Sequence, residues 1–288
     1  MRSARRAIKP RPLEYDPAMD STVSRRAHLR HGIGPLAGAS VVLTRPAGSS
    51  RALRRRVLTL GGEALELPGL SLRIAADPEA ARAALRATRG ADVVVFSSPA
   101  AVRFAFALWP GLRIARRVRV CAIGAATARA LRRRGLPEVS HPVRQDSEGL
   151  LALPEFIGVR GKRVALIGAP GGRDLLPQAL RTRGARLERV YVYERCLPRF
   201  TPRRLAALEC AAPPLVILLS SAEALANLHV VLPPALFLRL REAELVVSSA
   251  RLAAVAHTHG FVNVHVAASP QPADLVAAAQ IALARHRL

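Results

Sequence analysis

The sequence predicts an α/β protein made of two similar domains, each with a parallel sheet. Two observations carry that prediction. One local pattern recurs six times: a short β-branched run, small or hydroxyl residues, then an Ala/Leu/Arg-rich helix. The runs are apolar without polar alternation, which suits strands covered on both faces. Strands separated by helices imply right-handed βαβ crossovers and hence parallel pairing.

The first module is Val41-Val42-Leu43-Thr44-Arg45-Pro46 before a helix over Ser50–Leu60. The second is Val93-Val94-Val95-Phe96-Ser97-Ser98-Pro99 before Ala100–Leu108, and the third Val120-Cys121-Ala122-Ile123-Gly124 before Ala126–Arg134. Val164–Gly168 precedes a helix over Arg173–Arg183. Val216–Ser221 precedes Ala222–Leu228, and Leu245–Ser249 precedes Arg251–His259. Helices stop at Gly61-Gly62, Gly135, Gly184 and Gly260, each placed for a left-handed C′ residue. Second strands are expected after these stops, at Glu63–Leu67, Glu138–His141, Leu187–Tyr193 and Val262–Ala267. So many strands overfill one compact sheet, which is the argument for two domains. Leu65–Ile74 and Val190–Phe200 are extended and read as hinge crossings. Residues 1–35 are polar, Arg- and Pro-containing and aperiodic, and are expected to be a flexible basic extension.

Composition narrows the class. The chain has 288 residues, half of them hydrophobic, and no uncharged apolar run of membrane-spanning length. The start lacks the apolar core of a secretory signal. Three scattered cysteines argue against a disulfide framework or a zinc cluster. The net charge is +24. It fits a polyanionic partner: nucleic acid, anionic lipid or a multi-carboxylate substrate. All but two of the 44 basic residues are arginine, the exceptions being Lys9 and Lys162, so codon bias accounts for the charge equally well. A nucleic-acid-binding protein is therefore one reading. Few aromatics and no helix-turn-helix, RRM or zinc signature count against it. A two-lobed small-anion-binding protein is another, although such proteins usually carry an export signal.

No GxGxxG follows the first strand, and there is no P-loop or GxSxG elbow. Ala169-Pro170-Gly171-Gly172-Arg173 is Gly-rich but lacks the P-loop lysine and hydroxyl. Nothing implies a metal or nucleotide cofactor. What remains is the set of strand-to-helix turns, where ligands bind open α/β sheets. The turns offer helix N-termini and hydroxyls at Ser97, Ser98, Thr127, Ser220, Ser221, Ser248 and Ser249. Such ends bind anions, and two facing domains would direct several into one cleft. Each hydroxyl equally serves as a plain N-cap.

In order and spacing these turns resemble the uroporphyrinogen-III synthase family. The matching pieces are Val42–Pro46, Phe96–Val102, Ala122–Ala128, Ser147-Glu148-Gly149-Leu150 and the Gly171–Leu175 turn. Later come Val192-Tyr193-Glu194-Arg195, Leu219-Ser220-Ser221 and Ala268-Ser269-Pro270. The resemblance implies two flavodoxin-like domains joined by a two-stranded linker. The first domain is discontinuous (36–68 with 200–288), the second is inserted at 75–190, and 69–74 and 191–199 cross between them. It implies a cytoplasmic, cofactor-free enzyme, expected to be a monomer, acting on hydroxymethylbilane, an octacarboxylate. Loss of the ring-A hydroxyl gives an azafulvene. Ring D attacks it, and a spiro intermediate opens and recloses with that ring inverted. Closure without enzyme gives the uninverted isomer. Tyr193 aligns with the family's linker tyrosine, a general acid for hydroxyl departure or a packed hinge residue. Thr44, Arg45, Ser97, Ser98, Thr127, Gly171, Gly172, Ser220, Ser221 and Ser248 are the implied substrate contacts. Gly168 stands where relatives often carry arginine.

Overall fold

A computed structural model describes residues 34–171 and 174–285. The strands are β1 Ser40–Leu43, β2 Glu63–Glu66, β3 Ser71–Ile74, β4 Val93–Phe96, β5 Arg119–Ala122 and β6 Arg163–Gly168. They continue as β7 Arg186–Tyr191, β8 Tyr193–Cys196, β9 Leu215–Leu219, β10 Glu244–Val247 and β11 Val264–Val266. The helices are α1 Arg51–Thr59, α2 Pro78–Ala87, α3 Pro99–Leu108, α4 Ala125–Arg132, α5 Ser147–Leu151 and α6 Leu175–Thr182. Then follow α7 Pro202–Glu209, α8 Ala222–Val231, α9 Pro234–Arg241, α10 Ala250–Thr258 and α11 Pro272–Arg285.

Two parallel sheets form the two-domain α/β fold. The first runs β11-β10-β9-β1-β2 and the second β5-β4-β6-β7. The first lobe thus joins strands from both ends of the chain. The apolar strands are covered on both faces, as their lack of alternation requires. Val41, Leu43, Val216, Leu218 and Val246 pack beneath α1 and α11. Their neighbours Val42, Ile217, Leu219, Leu245 and Val247 pack toward α8, α9 and α10. In the second lobe, Val94, Phe96, Ala165 and Ile167 face one cluster and Val93, Val95 and Val164 the other.

The glycine stops hold: Gly61, Gly135, Gly184 and Gly260 have φ of 83°, 84°, 79° and 83°. Two expected strands differ. Glu138–His141 contributes only an isolated bridge, Ser140 to Cys121. Pro137 and Pro142 bracket it, and proline cannot donate to a ladder. Leu187–Tyr193 is broken at Val192. The Val192 N–H donates to Gly168 O (2.9 Å), while its carbonyl accepts from Ala75 N–H (3.2 Å). The chain there leaves the second sheet and enters an antiparallel ribbon, in which Ile74 pairs with Tyr193 and Ser71 with Cys196. This β3–β8 ribbon is the pair of crossings between the lobes. The helix expected from Arg173 begins at Leu175, with Gly172 and Arg173 outside the described residues. The expectation for residues 1–35 lies outside them too, except for Gly34 and Pro35. Among the described residues, no helix is long and apolar enough to cross a membrane.

Two consequences are testable. His229 stacks on Phe237 (ring centroids 4.6 Å apart) and meets His259 edge-on. Burial, and secondly the nearby His229, lower the His259 pKa below its ordinary 6.5. The unfolded chain then binds the proton more readily than the folded one. Stability from this site is present above the unfolded value and is lost as pH falls through the lower, folded one. Thermal melts across about pH 7 to 5 should show this loss, and His259→Gln should flatten it.

The cysteines should react in order of exposure. Cys210 is exposed, Cys196 half-buried and Cys121 buried. Burial, with Glu155 second, pushes the Cys121 thiol up to about 12. Burial and Glu194 also raise Cys196. Because the thiolate is the nucleophile, mass-spectrometric labelling should find Cys210 modified first and Cys121 only on unfolding.

Candidate active site

A cavity of about 470 Å³ opens at the carboxyl ends of β4 and β6, with β8 as one wall. Ser97, Ser98, Gly171 and Tyr193 all line it. The sequence dictates much of this. The Ser98 Oγ accepts from the Ala101 N–H at 3.1 Å and so caps α3, with Pro99 at the first helical position. The same Oγ lies 3.2 Å from Tyr193 Oη, within hydrogen-bond reach. Tyr193 is 8% exposed and its ring stacks on Phe104 at 5.3 Å and 15°. The phenol is thus held by packing on its body and by Ser98 at its tip. Ser97 is half-buried beside Gly168, where a Cβ would lie 2.5 Å from Ser97 Oγ. An arginine at 168 would therefore displace Ser97, so the glycine and this serine placement belong together. Gly171 turns left-handed, at φ 74°.

The other predicted contacts lie elsewhere. Thr44 is buried and donates to Leu218 O at 2.7 Å, tying β1 to β9. Arg45 is half-buried and donates to Pro270 O, and burial lowers its pKa. Ser220 and Ser248 are half-buried at the ends of β9 and β10, and Ser221 caps α8 through Ala224 N–H at 3.3 Å. These residues stand at the carboxyl end of the first sheet and do not line the cavity. Thr127, in the first turn of α4, is buried and does not line it either. Gly172 falls outside the described residues.

Sequence reasoning missed Gln145, Asp146, Arg189, Tyr191 and Arg195 as lining groups. The Gln145 Oε1 accepts from the Ala125 N–H at 3.2 Å, occupying the N-terminus of α4. Asp146 caps α5 through Gly149 N–H at 2.8 Å. For three of the missed groups the signal was present. Arg189, Tyr191, Tyr193 and Arg195 alternate with Val190, Val192 and Glu194, the period that sends every second side chain to one face.

Charges of both signs line the cavity: among the described residues they are Asp146, Asp174, Arg189 and Arg195. Arg189 pairs with Asp174 at 2.7 Å, and the hydrogen bonds it donates to Tyr191 and Asp174 hold its pKa above the usual arginine range. Arg195 pairs with Glu223 at 3.6 Å.

Fold and site define a two-domain α/β protein whose polar cavity lies between strand-end turns and a linker tyrosine. The profile of the family described as "Uroporphyrinogen-III synthase HemD" matches residues 51–277, and the chain belongs to the uroporphyrinogen-III synthase family. The uroporphyrinogen-III synthase of Salmonella typhimurium is 30% identical over 239 residues, covering 79% of this chain and 94% of the relative. That of Escherichia coli is equally similar, with the same coverage. Among solved structures, the Helicobacter pylori uroporphyrinogen-III synthetase superposes with a TM-score of 0.55 at 15% identity, over 86% of this chain and 99% of the other. A mutant Thermus thermophilus uroporphyrinogen III synthase gives 0.53 at 22%, over 86% and 99%. At these identities the two structures speak to the fold.

Proposed function

We propose that this chain is a uroporphyrinogen-III synthase that cyclises hydroxymethylbilane with loss of water and inversion of ring D. Family membership supports the reaction. The observation that carries the chemistry is the Ser98–Tyr193 contact at 3.2 Å in the cavity. The Ser98 Oγ already accepts from a helix N–H, so its own proton is available to the Tyr193 oxygen. That arrangement frees the phenolic proton to point at the departing ring-A hydroxyl, and Tyr193 acts as the general acid. Water leaves and a cationic azafulvene forms. Ring D attacks through its substituted carbon, and the spiro intermediate opens and recloses inverted. The proton released as the pyrrole regains aromaticity restores the phenol.

The protein's other task is orientation, since a floppy bilane must be curled and held. Arginines already paired with carboxylates, as Arg189 is with Asp174 and Arg195 with Glu223, burden a cationic intermediate less than unpaired ones would. Ser97 and the backbone N–H groups of Ser98, Gly171 and Gly172 hold carboxylates from one side, leaving the Ser98 hydroxyl to Tyr193. Arg45, Ser220, Ser221 and Ser248 meet the substrate's rim from the first lobe, Thr44 holds β1 to β9 behind them, and Thr127 supports the α4 end. The lobes are 36–68 with 200–288, and 75–190, hinged at 69–74 and 191–199. The enzyme works as a cytoplasmic monomer.

The test uses enzymatically generated hydroxymethylbilane and purified protein without added metal or nucleotide. Chromatographic isomer analysis should find the type III product. A product that stays type I would overturn the proposal.

A further inference from the structure

Arg195 touches more of the cavity's boundary than its place on the linker requires. β8 sets it two residues beyond Tyr193, so both side chains leave the same face of the ribbon. Its Nη2 donates to Pro170 O at 2.9 Å. Its Nη1 lies 3.6 Å from Glu223 Oε2. Pro170 leads into the Gly171 turn of the second lobe. Glu223 stands in the first turn of α8 in the first lobe, two residues after Ser221. One guanidinium on the linker therefore joins both lobes at the cavity edge.

The surroundings fit that role. A Cβ at position 171 would lie 3.2 Å from Arg195 Nη2, so a glycine there leaves room for the guanidinium. The helix bearing Glu223 also grips the other crossing, through Asn227 Nδ2 donating to Gly69 O at 3.0 Å. Glu223 is thereby fixed relative to the linker. Arginine suits the position because its planar fork serves two acceptors in different directions, where a lysine ammonium offers one point charge. Arg195 and Glu223 are 29% and 48% exposed, and a partly solvated pair is weak enough to open and close within a catalytic cycle.

We propose that Arg195 is a positioning residue: with Glu223 it clamps the Gly171 turn and α8 onto the linker, and keeps bound bilane curled beside Tyr193 until ring D has inverted. The proposal rests on the synthase reading given above. Without the clamp, bilane leaves before inversion and closes in solution to the uninverted isomer.

The experiment is a single turnover with enzyme in excess over hydroxymethylbilane, read as the type I to type III ratio. Type I alone from the wild-type protein would remove the synthase reading itself, separately from the clamp. With type III from wild type, Arg195→Ala should raise the type I fraction about tenfold, an orientation effect rather than a loss of acid. Arg195→Lys should restore part of the type III yield. Glu223→Gln should shift the ratio the same way by about threefold, the scale of an exposed pair. The double variant should be no worse than Arg195→Ala, because both changes break one contact. Circular dichroism checks folding. If Arg195→Ala does not fold, the isosteric Glu223→Gln decides. Wild-type ratios from a folded Arg195→Ala or from Glu223→Gln, or additive effects in the double variant, would overturn the clamp.

Discussion

Tyr193→Phe is expected to lower kcat about 100-fold, the lower range for loss of a general acid, which corresponds to about 3 kcal/mol. KM should move less than about threefold, because an interaction made mainly in the transition state leaves ground-state binding in place. The variant keeps the ring, and so keeps the stack on Phe104 and the burial. Only the oxygen 3.2 Å from Ser98 is removed. Stability should fall by no more than about 1 kcal/mol, the net value of one hydrogen bond. Steady-state kinetics and a thermal melt on the same preparation check both halves. A hinge residue would behave oppositely, with near-normal turnover in Tyr193→Phe and a loss of stability only in Tyr193→Ala. Ser98→Ala should be intermediate. It removes the phenol's partner and also a helix cap, so it should cost about 1 kcal/mol in stability beyond its effect on turnover.

The features legible in the sequence are those fixed by local chemistry. Apolar runs such as Val93–Phe96 announce doubly covered strands, and the glycine stops announce helix ends, because burial and φ preference act within a few residues. The hydroxyls were harder. Thr44 and Ser98 look alike in sequence, each closing a strand before a helix. Thr44 turns to Leu218 O, 174 residues away, while Ser98 turns to Tyr193. Which partner a hydroxyl finds depends on strand order, and nothing local states that β1 lies between β9 and β2. Thr127 illustrates the same point from a helix, since its first-turn position is compatible with a cleft or with the core it joins. The alternation from Arg189 to Arg195 was readable. Its meaning, a wall facing a cavity, requires knowing that the chain changes sheets at Val192 without losing its period.

Gly69, inside the extended crossing Leu65–Ile74, carries a tertiary demand. In the structure the linker passes directly against α8. A Cβ at position 69 would lie 2.5 Å from Ala224 Cβ, 2.7 Å from Ala224 O and 2.8 Å from Ala224 Cα. Two of those atoms are backbone and cannot rotate away. The segment is also pinned, since Gly69 N–H donates to Thr44 O at 2.8 Å and its carbonyl accepts from Asn227. Gly69→Ala must therefore push α8 from the crossing or strain both bonds, at about 1–3 kcal/mol. For a chain of this size that is a fall in Tm of roughly 2–4 °C per kcal/mol. Ala224→Gly should rescue only part of it, because it removes the Cβ and leaves the two backbone contacts. Gly158→Ala is the control: a Cβ there meets nothing within 4 Å, and its effect should stay within about 0.5 kcal/mol. Activity separates strain from simple loss of fold. The displaced helix carries Glu223, so Gly69→Ala assayed well below its Tm should still yield more type I isomer than Gly158→Ala. Equal isomer ratios in the two folded variants would mean that the helix position does not reach the cavity.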